Sequence, residues 1–264
     1  MPQTPLNRPL THGSRRHWSC LVAAVCLALC PMVSADEVRV AVAANFAHAL
    51  KSLAADFERT SGHKVLMSAG ATGKLYAQIK NDAPFHVLLA ADTETPVKLE
   101  REGAAVAGSR FTYAVGKLAL WSARAGFVDA QGEILKTGNF KHLAVATPSL
   151  APYGAAAVQT LDRLGLLNAL TPRLVQGESI GQTYAFVATG NAELGFVALS
   201  QVFEFGRISK GSLWIVPDSL HSPLRQDAVL LIRGRDQPAA RALLAFLKTQ
   251  QSKAVIRSFG YETE

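Results

Sequence analysis

The feature that most restricts this chain is a regular alternation of two hydrophobic periods. "EVRVAVAAN" sets Val38, Val40 and Val42 on every second residue, as a strand does. It runs straight into "FAHALKSLAADFERTSG", where Phe46, Ala49, Leu50, Leu53, Ala54 and Phe57 recur at intervals of three and four, one face of a helix. Gly62 is placed to close that helix. "KVLMSAG" reads as the next strand and "KLYAQIKN" as the next helix. "FHVLLAAD" is a third strand, with an unbroken apolar run that suits a parallel strand covered on both faces. Strands alternating with helices predict an α/β fold.

The pattern then changes. "FTYAVGKLALWS" (Phe111 to Ser122) reads as one long strand, suited to crossing between two lobes. A second α/β set follows in "HLAVATP", "GAAAVQTLDRLGLL", "RLVQGES", "GQTYAFVATG", "ELGFVALSQV" and "LWIVPD". "RQDAVLLIRG" (Arg225 to Gly234) reads as a second long strand. The last segment opens with Asp236 as an expected N-cap and Pro238 in the first turn. There is no solenoid-length repeat and no low-complexity tract. The layout predicts two α/β lobes, residues 36–115 with 226–264 and residues 116–225, enclosing a cleft.

Composition narrows the function. Residues 1–35 carry Arg8, Arg15 and Arg16 and no acid, then the apolar "SCLVAAVCLALCPMV" and the small-x-small "VSA" ending at Ala35. That is a cleaved secretory signal, too short and wrongly flanked for a membrane span. "SRRHW" leaves Sec and twin-arginine export both open, and Leu29 is large for a lipobox before Cys30. All three cysteines fall inside this signal, so the mature chain is exported with no disulfide and must be held by its core. Removing the signal leaves 24 basic against 20 acidic residues, a net charge of +4, with no dense basic run to support nucleic-acid binding. The missing cysteine excludes thiol catalysis. The mature histidines, His48, His63, His86, His142 and His221, show no metal-ligand spacing, and no Gly-x-Ser-x-Gly elbow occurs. Enzyme chemistry has no visible machinery, and no cofactor is implied.

Four loops at predicted strand ends each precede a helix: "AAN" (Ala43 to Asn45), "AGATGK", "PSLAPYG" (Pro148 to Gly154) and "GESIGQT" (Gly177 to Thr183). Ligands of open α/β sheets bind beyond the carboxyl ends of strands. The second loop is no nucleotide P-loop, because Ser68 stands where the first glycine is required and Leu75 follows Lys74. Taken alone it reads either as a helix-terminal anion site or as a plain turn. Four helix N-termini converging on one cleft would be far more specific.

In order and spacing these loops resemble the periplasmic molybdate-binding proteins of ABC transporters. The likeness runs from "VAVAANF" to "SFGYETE" and is clearest in "AANF", "SAGATGKLYAQI", "LAADTETP", "PYGAAAVQTLDRLG" and "ELGFVALSQV". It implies a type II two-lobed periplasmic binding fold. The ligand implied is one tetrahedral oxyanion, molybdate or tungstate, with molybdenum held only as that oxyanion. Carried across by motif, the ligand positions are Asn45, Thr72, Tyr153 and Ile180, with a backbone contact from Ala44. Asn45 stands where other members have serine, marking an asparagine-type branch. Tyr153 and Ile180 are implied mainly as backbone N–H donors, and contact by the Tyr153 hydroxyl is left open. Ala198 replaces a tyrosine that some members carry. The resemblance also implies a monomeric receptor that delivers its cargo to a membrane permease driven by an ATPase. A binding protein of the same fold for sulfate or another oxyanion is the alternative.

The chemistry of these positions is consistent with that cargo. None of them is charged, so neutral N–H and O–H donors would have to offset the desolvation of a dianion. A donor-only pocket leaves the proton of hydrogen phosphate without an acceptor, and pocket size alone separates molybdate from sulfate. Asn45 serves equally as an N-cap for a helix starting at Phe46, a use compatible with anion contact. Glu178 is expected to point away from the site, and Lys74 to be a solvated helix lysine.

Overall fold

The structure, a computed structural model, describes residues 1–4 and 36–264. The secretory signal read above lies, over residues 5–35, outside the described residues. The chain begins with β1 (Glu37–Ala43), α1 (Ala47–Ser61), β2 (Lys64–Gly70), α2 (Thr72–Lys80), β3 (Val87–Leu89), α3 (Glu94–Arg101) and β4 (Phe111–Gly116). It continues through β5 (Leu118–Ser122), α4 (Ile134–Thr137), β6 (Leu143–Ala146), α5 (Pro152–Arg163), α6 (Leu167–Leu170), β7 (Leu174–Gly177), α7 (Ile180–Ala188) and β8 (Leu194–Ala198). A small hairpin, β9 (Phe203–Glu204) and β10 (Arg207–Ile208), precedes β11 (Ser212–Ile215). The chain then returns through β12 (Leu224–Leu230), α8 (Pro238–Leu247) and α9 (Gln250–Ser258).

Two five-stranded sheets result, ordered β2-β1-β3-β12-β4 and β11-β5-β8-β6-β7. In the first, β1 runs parallel to both β2 and β3, while β12 is antiparallel to β3 and β4. In the second, β6 is parallel to β7 and β8, and β5 is antiparallel to β8 and β11. Each sheet carries helices on its faces, so the fold is α/β and two-lobed. The valines of β1 alternate into a core that also holds Ala49, Leu50, Leu53 and Phe57 of α1, the face its periodicity marks. Gly62 ends α1 at φ 75°, its N–H donating to the Glu58 carbonyl at 3.0 Å, in the left-handed conformation that glycine adopts without a Cβ clash.

Four expectations change. The long strand over Phe111 to Ser122 is two strands in different sheets, with Lys117 between them. The return strand does not span both sheets: β12 stays in the first, and its register shifts between Gln226 and Asp227. The register shift turns the Asp227 carboxylate onto Arg110 and Thr112, which a regular alternation would not do. Helix α1 starts at Ala47 with Phe46 as its cap residue, so Asn45 is no N-cap; its side chain turns inward instead. Asp236 does not cap α8 either, since Gln237 occupies that place without a side-chain bond and Pro238 opens the helix. For Asn45 the cause is plain: a short polar residue ahead of a helix favours a cap only where no stronger tertiary partner claims it, and Gln226 and Tyr261 do.

Candidate functional site

All four loops lie at the carboxyl ends of strands, after β1 and its edge neighbour β2 in the first sheet and after β6 and its edge neighbour β7 in the second. β1 ends at Ala43, and the chain turns through Ala44 and Asn45 before α1, with Phe46 N–H donating to the Ala43 carbonyl at 2.9 Å. β2 ends at Gly70, and Thr72 is the first residue of α2. In the other sheet, the loop after β6 leads to Pro152 and Tyr153 in the first turn of α5, and the loop after β7 leads to Ile180 as the first residue of α7. Ala44, Asn45, Thr72, Tyr153 and Ile180 meet on one small cavity of ≈ 10 Å³, joined there by Ala71. That is about the room of a single water, far below the roughly 300–1,000 Å³ of pockets for drug-sized ligands. No described residue lining it carries a charge.

The cavity is rich in donors. The backbone N–H groups of Asn45, Thr72, Tyr153 and Ile180 have no protein acceptor among the described residues. Three of them belong to first turns of helices, where N–H groups lack intrahelical partners and the dipole attracts negative charge. The Thr72 hydroxyl accepts from the Ala91 N–H at 3.1 Å, which leaves its own proton to give. Ala44 differs from expectation: its N–H donates to the Gly70 carbonyl at 2.9 Å, so in this conformation it shapes the wall without offering a free amide.

Behind the cavity lies a buried polar cluster that the sequence reading missed. Asn45 Nδ2 donates to Gln226 Oε1 at 2.8 Å and to the Tyr261 hydroxyl at 3.0 Å. Gln226 Nε2 donates to the Tyr153 hydroxyl at 3.1 Å, and the Tyr113 hydroxyl lies 3.0 Å from the Ala90 carbonyl and 3.1 Å from Gln226 Oε1. Ser200 Oγ donates to the Asn45 carbonyl at 3.0 Å. Burial pushes the hydroxyls of Tyr113, Tyr153 and Tyr261 above their ordinary range, so all three stay protonated. The Tyr153 hydroxyl rests over Gly116, where a Cβ would overlap it and would approach Gln226 Nε2 at 2.6 Å. Gln226 stands between Arg225 and Asp227, ahead of the apolar "AVL" of β12, so nothing local in the sequence marked this cluster.

Two contacts join the loops across the cleft. Lys74 Nζ pairs with Glu178 Oε2 at 2.5 Å, and Gly73 N–H donates to the Leu150 carbonyl at 3.0 Å. Glu178 does point away from the cavity, but it does so by meeting Lys74, which is therefore paired rather than only solvated. Wider open grooves of ≈ 400 and ≈ 610 Å³ flank the cavity, the larger carrying this ion pair on its wall. Among the described residues, no group of three or more His, Cys, Asp or Glu side chains is placed to hold a metal ion.

The profile of the bacterial extracellular solute-binding proteins matches residues 38–262. The chain is 60% identical to the molybdate-binding protein ModA of Azotobacter vinelandii over 227 residues, 86% of this chain and 90% of that one. It is 49% identical to the molybdate-binding protein ModA of Rhodobacter capsulatus over 241 residues, 91% of this chain and 94% of that one. Among solved structures, the periplasmic molybdate-binding protein of Azotobacter vinelandii superposes with a TM-score of 0.84 at 41% identity, covering 86% of this chain and 99% of its own.

Proposed function

The chain belongs to the bacterial extracellular solute-binding protein family, and on that premise we propose that it captures molybdate and tungstate and delivers them to an ABC-type permease. The observation that carries this reading is the cavity itself: small, lined without charge, and surrounded by N–H groups that no protein acceptor claims. In this reading the N–H groups of Asn45, Thr72, Tyr153 and Ile180 and the Thr72 hydroxyl bind the oxyanion, and Ala44 sets the wall. Each bond to a charged oxygen contributes roughly 1.5–3 kcal/mol, and each helix N-terminus about 0.3–1 kcal/mol, against the desolvation of the dianion. The protein works in the periplasm as a binding component, without catalysis or a resident cofactor.

Selectivity follows from the same donors. A fully ionised tetrahedron accepts on every face, whereas hydrogen phosphate brings a proton for which the lining has no free carboxylate. Sulfate matches molybdate in charge and shape but is smaller, so donors fixed on two sheets reach it less well. A thermal-shift screen of the mature protein against molybdate, tungstate, sulfate and phosphate tests this directly, since a ligand that binds only the folded form raises its melting temperature. Molybdate and tungstate should give large shifts, and sulfate and phosphate little or none. A sulfate shift equal to that of molybdate would remove the assignment.

A further inference from the structure

The oxyanion reading leaves one feature of the site without an explanation, the orientation of the Asn45 amide. With Nδ2 turned toward Gln226 and Tyr261, Asn45 Oδ1 is buried and has no hydrogen-bond partner among the described residues. Asn45 lines the cavity and is only 1% exposed. A carbonyl oxygen is the wrong group to show an anion, and a buried acceptor without a donor is unfavourable in itself. The Tyr153 hydroxyl completes the puzzle: it accepts from Gln226 Nε2, and its own proton has no protein acceptor among the described residues.

Resting on that oxyanion reading, we propose that Gln226 is the positioning residue that decides which end of the Asn45 amide faces the ligand, and that the two amides turn together when an anion enters. An amide presents two donors at one end and an acceptor at the other, with nearly the same shape. Turning both by half a rotation exchanges nitrogen and oxygen, and with them every role, while the outline of each side chain stays the same. Gln226 nitrogen then lies 2.8 Å from the Asn45 oxygen and 3.1 Å from the Tyr113 hydroxyl, and donates to both. Tyr113 keeps its bond to the Ala90 carbonyl. The Gln226 oxygen, 3.1 Å from the Tyr153 hydroxyl, accepts the proton that had no acceptor. Tyr261, 3.0 Å from the turned Asn45 oxygen, redirects to it the one proton it otherwise gives to the Asn45 carbonyl or Ser200, and Ser200 still donates to that carbonyl. Every buried member is then satisfied, and Asn45 Nδ2 replaces Oδ1 as a free donor beside the anion.

Neither amide can turn alone. If only Asn45 turned, its oxygen would face Gln226 Oε1 at 2.8 Å, two acceptors in contact. Gln226 is well placed for the task. It is fully buried, sits at the register shift of β12, and touches Asn45 and Tyr113 on one side of the cleft and Tyr153 of α5 on the other. Side-chain polarity at this residue thus sets specificity for a ligand that accepts on all faces, although Gln226 is not itself at the cavity wall.

The test uses the mature protein with molybdate as the probe. In wild-type protein, side-chain amide NMR should show Asn45 NH₂ protons with nuclear Overhauser contacts to the Tyr261 ring before molybdate is added. Those contacts should be lost, with a downfield shift of one Asn45 proton, when molybdate is bound. Gln226→Met, which keeps length but has no amide, should lose at least tenfold in molybdate affinity by calorimetry. Gln226→Glu should bind poorly at pH 8 and recover as the pH falls and the acid regains a donor, while wild type stays flat over the same range. Asn45 contacts to Tyr261 that persist in the liganded wild-type protein would overturn the proposal, whether or not the variants fold. So would Gln226→Met affinity within twofold of wild type. Wild-type protein that binds no molybdate would instead overturn the function reading, and this inference with it.

Discussion

Asn45 shows how much one side chain can decide. Its carbonyl is held by Ser200 and Tyr261, its amide by Gln226 and Tyr261, and Phe46 beside it is gripped edge-on by Tyr113 and Tyr261 at 4.6 and 5.4 Å. The site therefore fixes the polarity of this residue rather than merely its position. Asn45→Asp places a carboxylate against the proposed anion; at an effective dielectric near 20, like charges about 4 Å apart repel by about 4 kcal/mol. Calorimetry should show a loss of molybdate affinity of about 100-fold or more. At the far end of the same sheet, His86 predicts the pH dependence of stability. Burial, and secondarily the Arg39 charge, lowers its pKa in the folded protein. The unfolded chain therefore takes up the proton first, so the contribution of His86 is present above its ordinary value near 6.5 and is lost as pH falls below it. Asp92 acts in the opposite sense, because burial raises its carboxyl and acidification favours the folded form there. His86→Gln should flatten the fall in denaturation free energy between pH 7 and pH 5.

At the scale of elements, the first turns of α2, α5 and α7 point their unpaired N–H groups at one volume because each helix follows the carboxyl end of its strand. The loops carry the closing contacts as well as the donors. The Lys74 to Glu178 pair joins α2 to the loop ahead of α7, with side chains 45% and 68% exposed. An ion pair that open to water contributes no more than about 1 kcal/mol, and salt screens it. We propose that it serves instead as a latch across the cleft. Lys74→Ala should leave the melting temperature of the ligand-free protein nearly unchanged and raise the molybdate dissociation rate several-fold in stopped flow. That difference should shrink at high salt; equal rates at low salt would dismiss the latch.

For the whole molecule, the two sheets communicate through few covalent crossings. Lys117 separates β4 from β5, and residues 216–223 lead back from β11 to β12. Lys117 is tied on both sides, to Asp218 at 2.8 Å and to Glu262 at 2.9 Å, and Val115 bridges Glu262 through paired backbone bonds. We propose these crossings as the hinge. Ligand would then close the cleft by rotation about them, bringing the loops to the contacts described above. Small-angle scattering should show a smaller radius of gyration with molybdate than without it. A profile unchanged by saturating ligand would exclude hinge closure while leaving binding intact.

Much was decided by sequence alone. Period two and period three-to-four patterns arise within a few residues, so the alternation of strands and helices, the buried face of α1 and the glycine ending it could be read locally. The loops that carry Ala44, Asn45, Thr72, Tyr153 and Ile180 were legible because helix starts have their own chemistry and because their order resembles a known family. Tertiary structure alone decided the rest. Asn45 meets Gln226 across 181 positions and Lys74 meets Glu178 across 104, and no local pattern encodes pairs so distant. The split at Lys117 and the shift at Gln226 depend on which sheet offers each strand a partner. A cap side chain likewise goes to the best acceptor or donor that folding brings near, which is why Asn45 left its helix for the interior.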